Sequence, residues 1–202
     1  MVLAMTQRVF VDANVLFSKT LMDWLFLMHQ ANGNMFQVHT TEDVLAETIA
    51  NMRKRKPGAP GYATSRRLEL IRDSLTEVIR DYPGQGDPKA PKFSGTDKDD
   101  YHVHAGACAG GANIILTCNA ASDITTTPDE ESYEVMHPDD FFCLVTKSNP
   151  SCLAPVVQNQ LAYWTKRPSR LQLDDALRNS NCNAFADEVR KALCQIAITG
   201  WS

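Results

Sequence analysis

The stretch Arg8–Asn14 reads Arg-Val-Phe-Val-Asp-Ala-Asn, and it decides how the rest of the sequence is interpreted. Its β-branched and aromatic part, Val9–Val11, predicts a short buried strand. Asp12 and Asn14 follow directly, so we expect the strand to end at a polar turn. A carboxylate at the end of a buried strand is costly unless it is paired, hydrogen-bonded or bound to a metal. Asp12 is therefore the first candidate site residue, with simple capping of the next turn as the alternative.

Strand-like and helix-like segments alternate after this stretch. Apolar residues recur at helical spacing in three segments: Leu21–Met28, Val44–Met52 and Leu68–Ile79. Phe36–Val38 is a possible second strand, and Asn113–Thr117 is typical of a fully buried strand. This alternation predicts an α/β fold with a central, mostly parallel sheet flanked by helices. In such sheets the active residues gather at the carboxyl ends of the strands.

The pattern changes at about residue 137. The segment His137–Phe141 starts a helix. Further helical stripes, without a convincing strand, follow at 151–165, 171–178 and 183–198. We therefore predict a first domain over residues 1–136 and a small α-helical C-terminal extension over residues 137–202.

Composition restricts the class of protein. The chain has 202 residues, of which 44% are hydrophobic and 22% are charged, as in soluble globular proteins. No apolar run reaches the roughly 20 residues that cross a bilayer, and no export signal is recognised, so we expect a cytoplasmic protein that does not contact a membrane. The six cysteines show no CxxC pair, which favours reduced thiols over a zinc site built from them.

Charge is unevenly distributed. The net charge of -4 is unusual for a protein that binds nucleic acid. However, basic residues concentrate at Arg53–Lys56 and at Arg66 and Arg67, whereas acidic residues crowd at Asp97–Asp100 and Asp129–Glu131. This division suits a nuclease with an acidic centre and a basic rim, but it also suits any soluble protein with a charged loop.

Three further acidic regions join Asp12 as candidates. Glu47 lies on a predicted helix, where solvent exposure is the simpler interpretation. Asp97–Asp100 crowd the start of another helix, where capping explains one of them. Asp123 follows the predicted strand at Asn113–Thr117 and could be an ordinary loop residue. Acids from strand ends and helix starts can nevertheless converge on one Mg²⁺, which prefers oxygen ligands.

The order of these motifs resembles that of PIN-domain ribonucleases. The resemblance rests on an opening strand, a helix with the second acid, a third acidic block, and a strand with its turn: Val9–Leu16, Val44–Glu47, Asp97–Ala107 and Gly111–Asn119. The likeness extends to a bacterial subgroup, the VapC-type toxins with a helical C-terminal extension, in which a His-Pro-Asp-x-Phe segment resembles His137–Phe141. It implies a PIN-like three-layer fold, an antitoxin partner and possible homodimers.

Carried over by position, the resemblance assigns Asp12, Glu47 and Asp100 as catalytic and metal-binding acids. The family places its fourth acid three residues after the asparagine of the turn, where this chain has Ser122. A one-residue insertion would give that role to Asp123; otherwise Asn119 or Asp99 would complete the site.

The activity implied is endonucleolytic cleavage of single-stranded or structured RNA by a water activated by Mg²⁺ or Mn²⁺. Asn14 and Thr117 would orient the acids by hydrogen bonds, with Asn119 and Asp99 in support. The RNA backbone would be held by basic side chains, for which a solvated helix end is the alternative: Arg53, Lys54, Arg55 and Lys56.

Other functions compete with a toxin of a type II toxin–antitoxin pair. A housekeeping PIN nuclease would use the same residues, and gene neighbourhood would distinguish the two. A PIN-like module that binds RNA or protein without cleaving is a third interpretation, which the irregular position of Asp123 keeps open. A receiver-like or phosphatase-like α/β domain ranks last, because no suitable lysine follows a later strand.

Overall fold

The computed structural model describes residues 6–33, 35–164 and 171–199, and these divide into two compact units. The first unit contains the described residues of 6–17 and 35–137, and the second contains those of 18–33 and from 138 onward. The predicted first domain included residues 18–33, which the contacts group with the C-terminal helices instead.

The first unit is built on a five-stranded sheet in which every described pairing is parallel. Its strands are β1 Gln7–Val11, β2 Phe36–Thr41, β3 Glu77–Ile79, β4 Ile114–Leu116 and β5 Glu134–Met136. They lie in the order β3-β2-β1-β4-β5. The predicted α/β fold with a mostly parallel sheet flanked by helices is therefore confirmed.

Helices account for most of the remaining described chain. In sequence order they are α1 Ala13–Phe17, α2 Lys19–Ala31, α3 Glu42–Arg55, α4 Gly61–Ser74, α5 Tyr101–Ala109, α6 Ala121–Ile124, α7 Pro138–Ser148, α8 Leu153–Trp164, α9 Leu173–Arg178 and α10 Asn183–Thr199. None of the helices described is both long enough and apolar enough to cross a membrane.

Strand β1 lies at the centre of the sheet. Val9 pairs with Val38 of β2 on one side and with Ile114 of β4 on the other. Val9–Val11 are completely buried, as expected for a strand with neighbours on both edges. The chain passes to opposite sides of β1 to form β2 and β4, and ligand sites of open parallel sheets lie at such a reversal, beside the carboxyl ends of the strands.

Two edge strands were not predicted from the sequence. The helix predicted over Leu68–Ile79 ends at Ser74, and its last three residues form β3 instead. The change of direction is fixed by Thr76, whose backbone N–H donates to Val38 O at 2.8 Å and whose hydroxyl accepts from Val38 N at 3.1 Å. Strand β5 has three residues, begins with Glu134 and is only partly buried, so it lacks the continuous apolar run by which the equally short β4 was predicted.

The second unit packs helix α2 with helices α7 to α10 around an aromatic core. Phe185 of α10 lies edge-on to Trp24 of α2 with 5.1 Å between ring centroids, and it also contacts Phe142 of α7 at 5.1 Å. Helices predicted after residue 137 are present in the described part of this unit. Asp139, from the His-Pro-Asp-x-Phe segment, accepts hydrogen bonds from the backbone N–H groups of Ala184 and Phe185 at 3.0 and 2.7 Å. It therefore caps the start of α10.

Candidate metal centre

Asp12 is a buried carboxylate at the carboxyl end of β1, with only 3% of its surface exposed. Its Oδ1 accepts a hydrogen bond from Ala13 N at 2.5 Å, and its Oδ2 accepts from Thr117 Oγ1 at 2.6 Å and from Asn14 Nδ2 at 2.7 Å. Burial raises the pKa of Asp12 to about 6, although the donors from Thr117 and Ala13 oppose the shift. The causes of this shift include no cationic side chain, and Asp12 forms no ion pair with a cationic side chain among the described residues.

Two neighbouring strand ends are joined by the amide and hydroxyl groups around Asp12. Asn14 Nδ2 lies 3.0 Å from both Thr117 Oγ1 and Asn119 Oδ1, and its two protons are shared among these acceptors and Asp12. Asn14 Oδ1 accepts from Cys118 N at 3.0 Å, and Thr117 Oγ1 accepts from Asn119 N at 3.0 Å. The turn after β4 is thereby held against the turn after β1.

Asp100 enters the same network through Asn119. It ends a 3-10 turn, Lys98–Asp100, and lies directly before α5 with 9% of its surface exposed. Asn119 Nδ2 donates to Asp100 Oδ2 at 2.9 Å. Burial raises the pKa of Asp100, the bond from Asn119 lowers it, and the charge of Asp97 raises it further. Asp97 itself caps the 3-10 turn by accepting from Asp99 N at 3.0 Å, which confirms capping for one member of this acidic block.

Glu47 approaches from helix α3 and is exposed. Its Oε2 lies 3.4 Å from His102 Nε2, and its Oε1 accepts from Asn51 Nδ2 at 3.4 Å. The charges of Asp100 and Glu47 both raise the pKa of Asp12. Asp100 and Glu47 are far from Asp12 in sequence, but the fold brings both close enough for their charges to affect its pKa.

The three candidates for the fourth acidic position, Asp123, Asn119 and Asp99, have different surroundings. Asp123 of α6 raises the pKa of Asp100 by its charge, but both of its oxygens are engaged. Oδ1 accepts from Thr96 Oγ1 at 2.9 Å, and Oδ2 accepts from Ala120 N at 3.2 Å, as in a helix cap. Asn119 occupies the centre of the network, whereas the side chain of Asp99 is exposed and enters none of the hydrogen bonds described for it.

The predicted basic residues lie at the end of α3, beyond Glu47. Lys54 and Lys56 are exposed, whereas Arg53 Nη1 donates to Ala59 O at 2.9 Å and the Arg55 guanidinium lies over the Phe17 ring, 5.5 Å from its centroid. Lys54 follows Glu47 by two helical turns, so the two share a face and lie about 10 Å apart. Exposed positive charge therefore lies on the same helix as Glu47, about two turns away.

These acids offer hard oxygen donors, the ligand chemistry of Mg²⁺ and Mn²⁺. Among the described residues, the compact group with three ligand atoms within 4.8 Å of one another is a different one, formed by His104, Cys108 and Glu131. The acids at the strand ends are thus more open than a closed cage. That openness fits a cation that keeps several waters and engages one or two carboxylates directly.

Two contacts of α5 could not be read from the sequence. His102 and His104 are two residues apart and therefore point to different sides of the helix. His102 Nδ1 lies 2.8 Å from Asp99 O in the preceding turn, and its Nε2 lies 3.4 Å from Glu47. His104 is buried, with 1% exposed, and contacts Tyr133 and Cys108.

In comparisons with protein-family models, with curated proteins and with solved structures, nothing matched this chain.

Proposed function

We propose that this protein is a metal-dependent endoribonuclease that hydrolyses phosphodiester bonds in single-stranded or structured RNA. The observation that carries the proposal is the environment of Asp12. A carboxylate with 3% exposure is held by three donors, feels the charges of Glu47 and Asp100, and has no cationic partner among the described side chains. Buried charge of this kind is costly for a protein that only folds, and a bound cation offsets the cost.

Each residue has a defined task in this proposal. Asp12 and Asp100 would hold Mg²⁺ or Mn²⁺, with Glu47 as a further ligand or proton acceptor. When bound, the cation supplies positive charge that neutralises the phosphate and lowers the pKa of the attacking water. Thr117 and Asn14 fix one oxygen of Asp12, and Ala13 N fixes the other, so that the carboxylate keeps one orientation.

The basic end of α3 supports RNA as the substrate. Lys54 and Lys56 are exposed and can contact backbone phosphates, while the Arg55 guanidinium is ordered over Phe17. Glu47 lies on the same helix, so a phosphate held by Lys54 would lie about two helical turns from Glu47.

The direct test is cleavage of total bacterial RNA by protein stripped with EDTA and then supplied with Mg²⁺ or Mn²⁺. We expect cleavage only with metal, and at least about a hundredfold less with Asp12→Asn. Asp140→Asn, a charge removal at an exposed position of α7, is the matched control and should retain full activity. Folded wild-type protein that cleaves under no metal condition would instead support the non-catalytic binding module.

We propose further that the nuclease is the toxin of a type II toxin–antitoxin pair, on the basis of the resemblance at His137–Phe141. Induced expression in a bacterium should then arrest growth, and Asp12→Asn should abolish the arrest. Co-expression of a neighbouring gene should restore growth if that gene encodes the antitoxin. Metal-dependent cleavage in vitro without any growth defect would favour a housekeeping nuclease.

A further inference from the structure

A second group of potential ligands lies on the inner side of α5, apart from the acids described above. His104 and Cys108 are four residues apart and therefore share one face of the helix. Glu131 follows a 3-10 turn, Pro128–Glu130, shortly before β5. One ligand atom from each of the three lies within 4.8 Å of the others.

Hydrogen bonds orient the imidazole of His104. Its Nδ1 lies 2.5 Å from the Tyr133 hydroxyl, and that hydroxyl is in turn hydrogen-bonded to Glu131. Glu131 can only accept, so Tyr133 donates to it and accepts from Nδ1–H of His104. The lone pair of His104 is then on Nε2, which faces Cys108 Sγ at 3.9 Å. A ring nitrogen held by a second partner is the usual arrangement of a metal-binding histidine.

The carboxylate of Glu131 is also held in place. Thr125 Oγ1 donates to Oε1 at 2.8 Å, and Oε2 lies 3.9 Å from His104 Nδ1. His104 is 1% exposed, and burial lowers the pKa of its imidazole while the charge of Glu131 opposes the shift; the neutral form of the ring is the one that binds metal. Burial and Glu131 raise the pKa of the Cys108 thiol to about 11, so a metal would have to displace its proton.

We propose that His104, Cys108 and Glu131 form a zinc-binding site separate from the proposed nuclease centre. A set of one nitrogen, one sulfur and one oxygen donor suits Zn²⁺ and does not suit Mg²⁺, which takes oxygen ligands. Ligand atoms around one zinc ion lie about 3.3–3.6 Å apart. The 3.9 Å between Cys108 Sγ and His104 Nε2 would therefore have to shorten, and Glu131, whose Oε2 lies 3.9 Å from Nδ1, would have to turn toward the ion from within the 4.8 Å span of the group.

Such a site has a structural consequence for the first unit. Zinc would fasten α5 to the segment that leads into β5, and α5 begins directly after Asp100. The proposal stands on residues that the nuclease proposal does not use, and neither depends on the other.

The test uses the full chain, first stripped with a chelator and then titrated with Co²⁺ and with Zn²⁺. We expect the near-ultraviolet absorption of a cobalt–thiolate bond at one equivalent, which Zn²⁺ then removes. Cys108→Ser should abolish the band, and Glu131→Gln should weaken Zn²⁺ binding at least about tenfold. Cys118→Ser, which removes an exposed thiol, and Asp12→Asn, which removes the proposed Mg²⁺ ligand, should both leave the band unchanged.

Circular dichroism of Cys108→Ser establishes that the variant is folded before its band is judged. If Cys108→Ser does not fold, Glu131→Gln alone carries the comparison, because it preserves the size of the side chain. A wild-type protein without a cobalt–thiolate band, or a band that persists in folded Cys108→Ser, would overturn the proposal. Neither readout requires RNA, so failure here is distinct from failure of the nuclease assay.

Discussion

The hydroxyl of Thr117 donates a hydrogen bond of 2.6 Å to the buried carboxylate of Asp12. The two residues follow the central strand β1 and its neighbour β4, and 105 positions separate them in sequence. Since hydrogen bonds to charged groups are stronger than those between neutral groups, this contact contributes both to stability and to the orientation of the acid.

Replacing Thr117 with valine should destabilise the protein more than an ordinary loss of a hydroxyl. The variant loses the donor to Asp12 and the acceptor of Asn119 N. We expect the free energy of unfolding at pH 8 to fall by about 2–3 kcal/mol, measured by urea denaturation. Thr146→Val, which removes a buried hydroxyl bonded within α7 to Phe142 O, is the control and should cost less than about 1 kcal/mol. Equal losses in the two variants would refute a special role for Thr117.

The stability of the metal-free protein should decrease as the pH rises from about 4 to about 7. The pKa of Asp12 is raised from 3.8 to about 6 in the folded chain, so the folded state keeps a proton that the unfolded state has released. The stabilisation is complete at a pH below the pKa that Asp12 has in the unfolded chain. It is lost as the pH rises through the pKa that Asp12 has in the folded chain, and the free energy of unfolding then falls by about 3 kcal/mol at most. Chemical denaturation in EDTA across this range measures it.

Asp12→Asn should flatten that pH dependence, whereas Asp140→Asn, at an exposed position, should not. Addition of Mg²⁺ at pH 8 should raise the melting temperature of the wild type and leave that of Asp12→Asn unchanged, because a ligand stabilises only the state that binds it. If Asp12→Asn shows the same pH dependence of stability as the wild type, groups other than Asp12 are responsible for it.

Asp123→Asn should reduce RNA cleavage about tenfold and leave the fold intact. Asparagine can still accept a hydrogen bond at the start of α6, but it removes the negative charge near Asp100. Initial rates at saturating Mg²⁺ measure the effect. Asp99→Asn removes the same charge from an exposed side chain and serves as the control. A larger loss with Asp99→Asn than with Asp123→Asn would transfer the fourth position to Asp99.

The pair Lys54→Ala and Lys56→Ala should weaken RNA binding in a salt-dependent way. Each phosphate contact with a single strand changes the slope of log affinity against log salt by about 0.7. The slope for the double variant should therefore be about 1.4 smaller in magnitude than that of the wild type. Fluorescence anisotropy with a labelled oligoribonucleotide, in an Asp12→Asn background that does not cleave, gives the slopes. Lys147→Ala with Lys191→Ala is the control, since both lysines are exposed on helices of the second unit. Identical slopes for the two double variants would exclude the end of α3 as the RNA contact.

Asp139→Ala should destabilise the second unit without affecting the chemistry of cleavage. The carboxylate caps α10 through Ala184 and Phe185, and loss of such a cap costs about 1–2 kcal/mol. Thermal unfolding should detect the loss, and Asp140→Ala, at the exposed neighbouring position, should have little effect. A stable Asp139→Ala variant that has lost cleavage would instead place Asp139 in the active centre.

The sequence predicts those features that are local. The buried run before Asp12 and the helix that carries Glu47 follow from residue type and periodicity, and both are present. The strands β3 and β5 were missed because each begins with a glutamate and is only partly buried, whereas the equally short β4 is wholly apolar and buried. The contacts of Asn119 with Asp100, and of His104 with Glu131, depend on which elements become neighbours, and no spacing along the chain encodes them.

The neighbouring positions of β1 and β4 have a consequence for synthesis of the chain. A growing polypeptide leaves the ribosome with Asp12 and Glu47 long before Thr117 and Asn119 appear, so no partial chain holds its acids in the final orientation. Closure of the sheet is the slow, long-range step of folding for such a topology. Fragments that end before β4 would therefore lack the donors of Thr117 and Asn119 that orient Asp12 and Asp100.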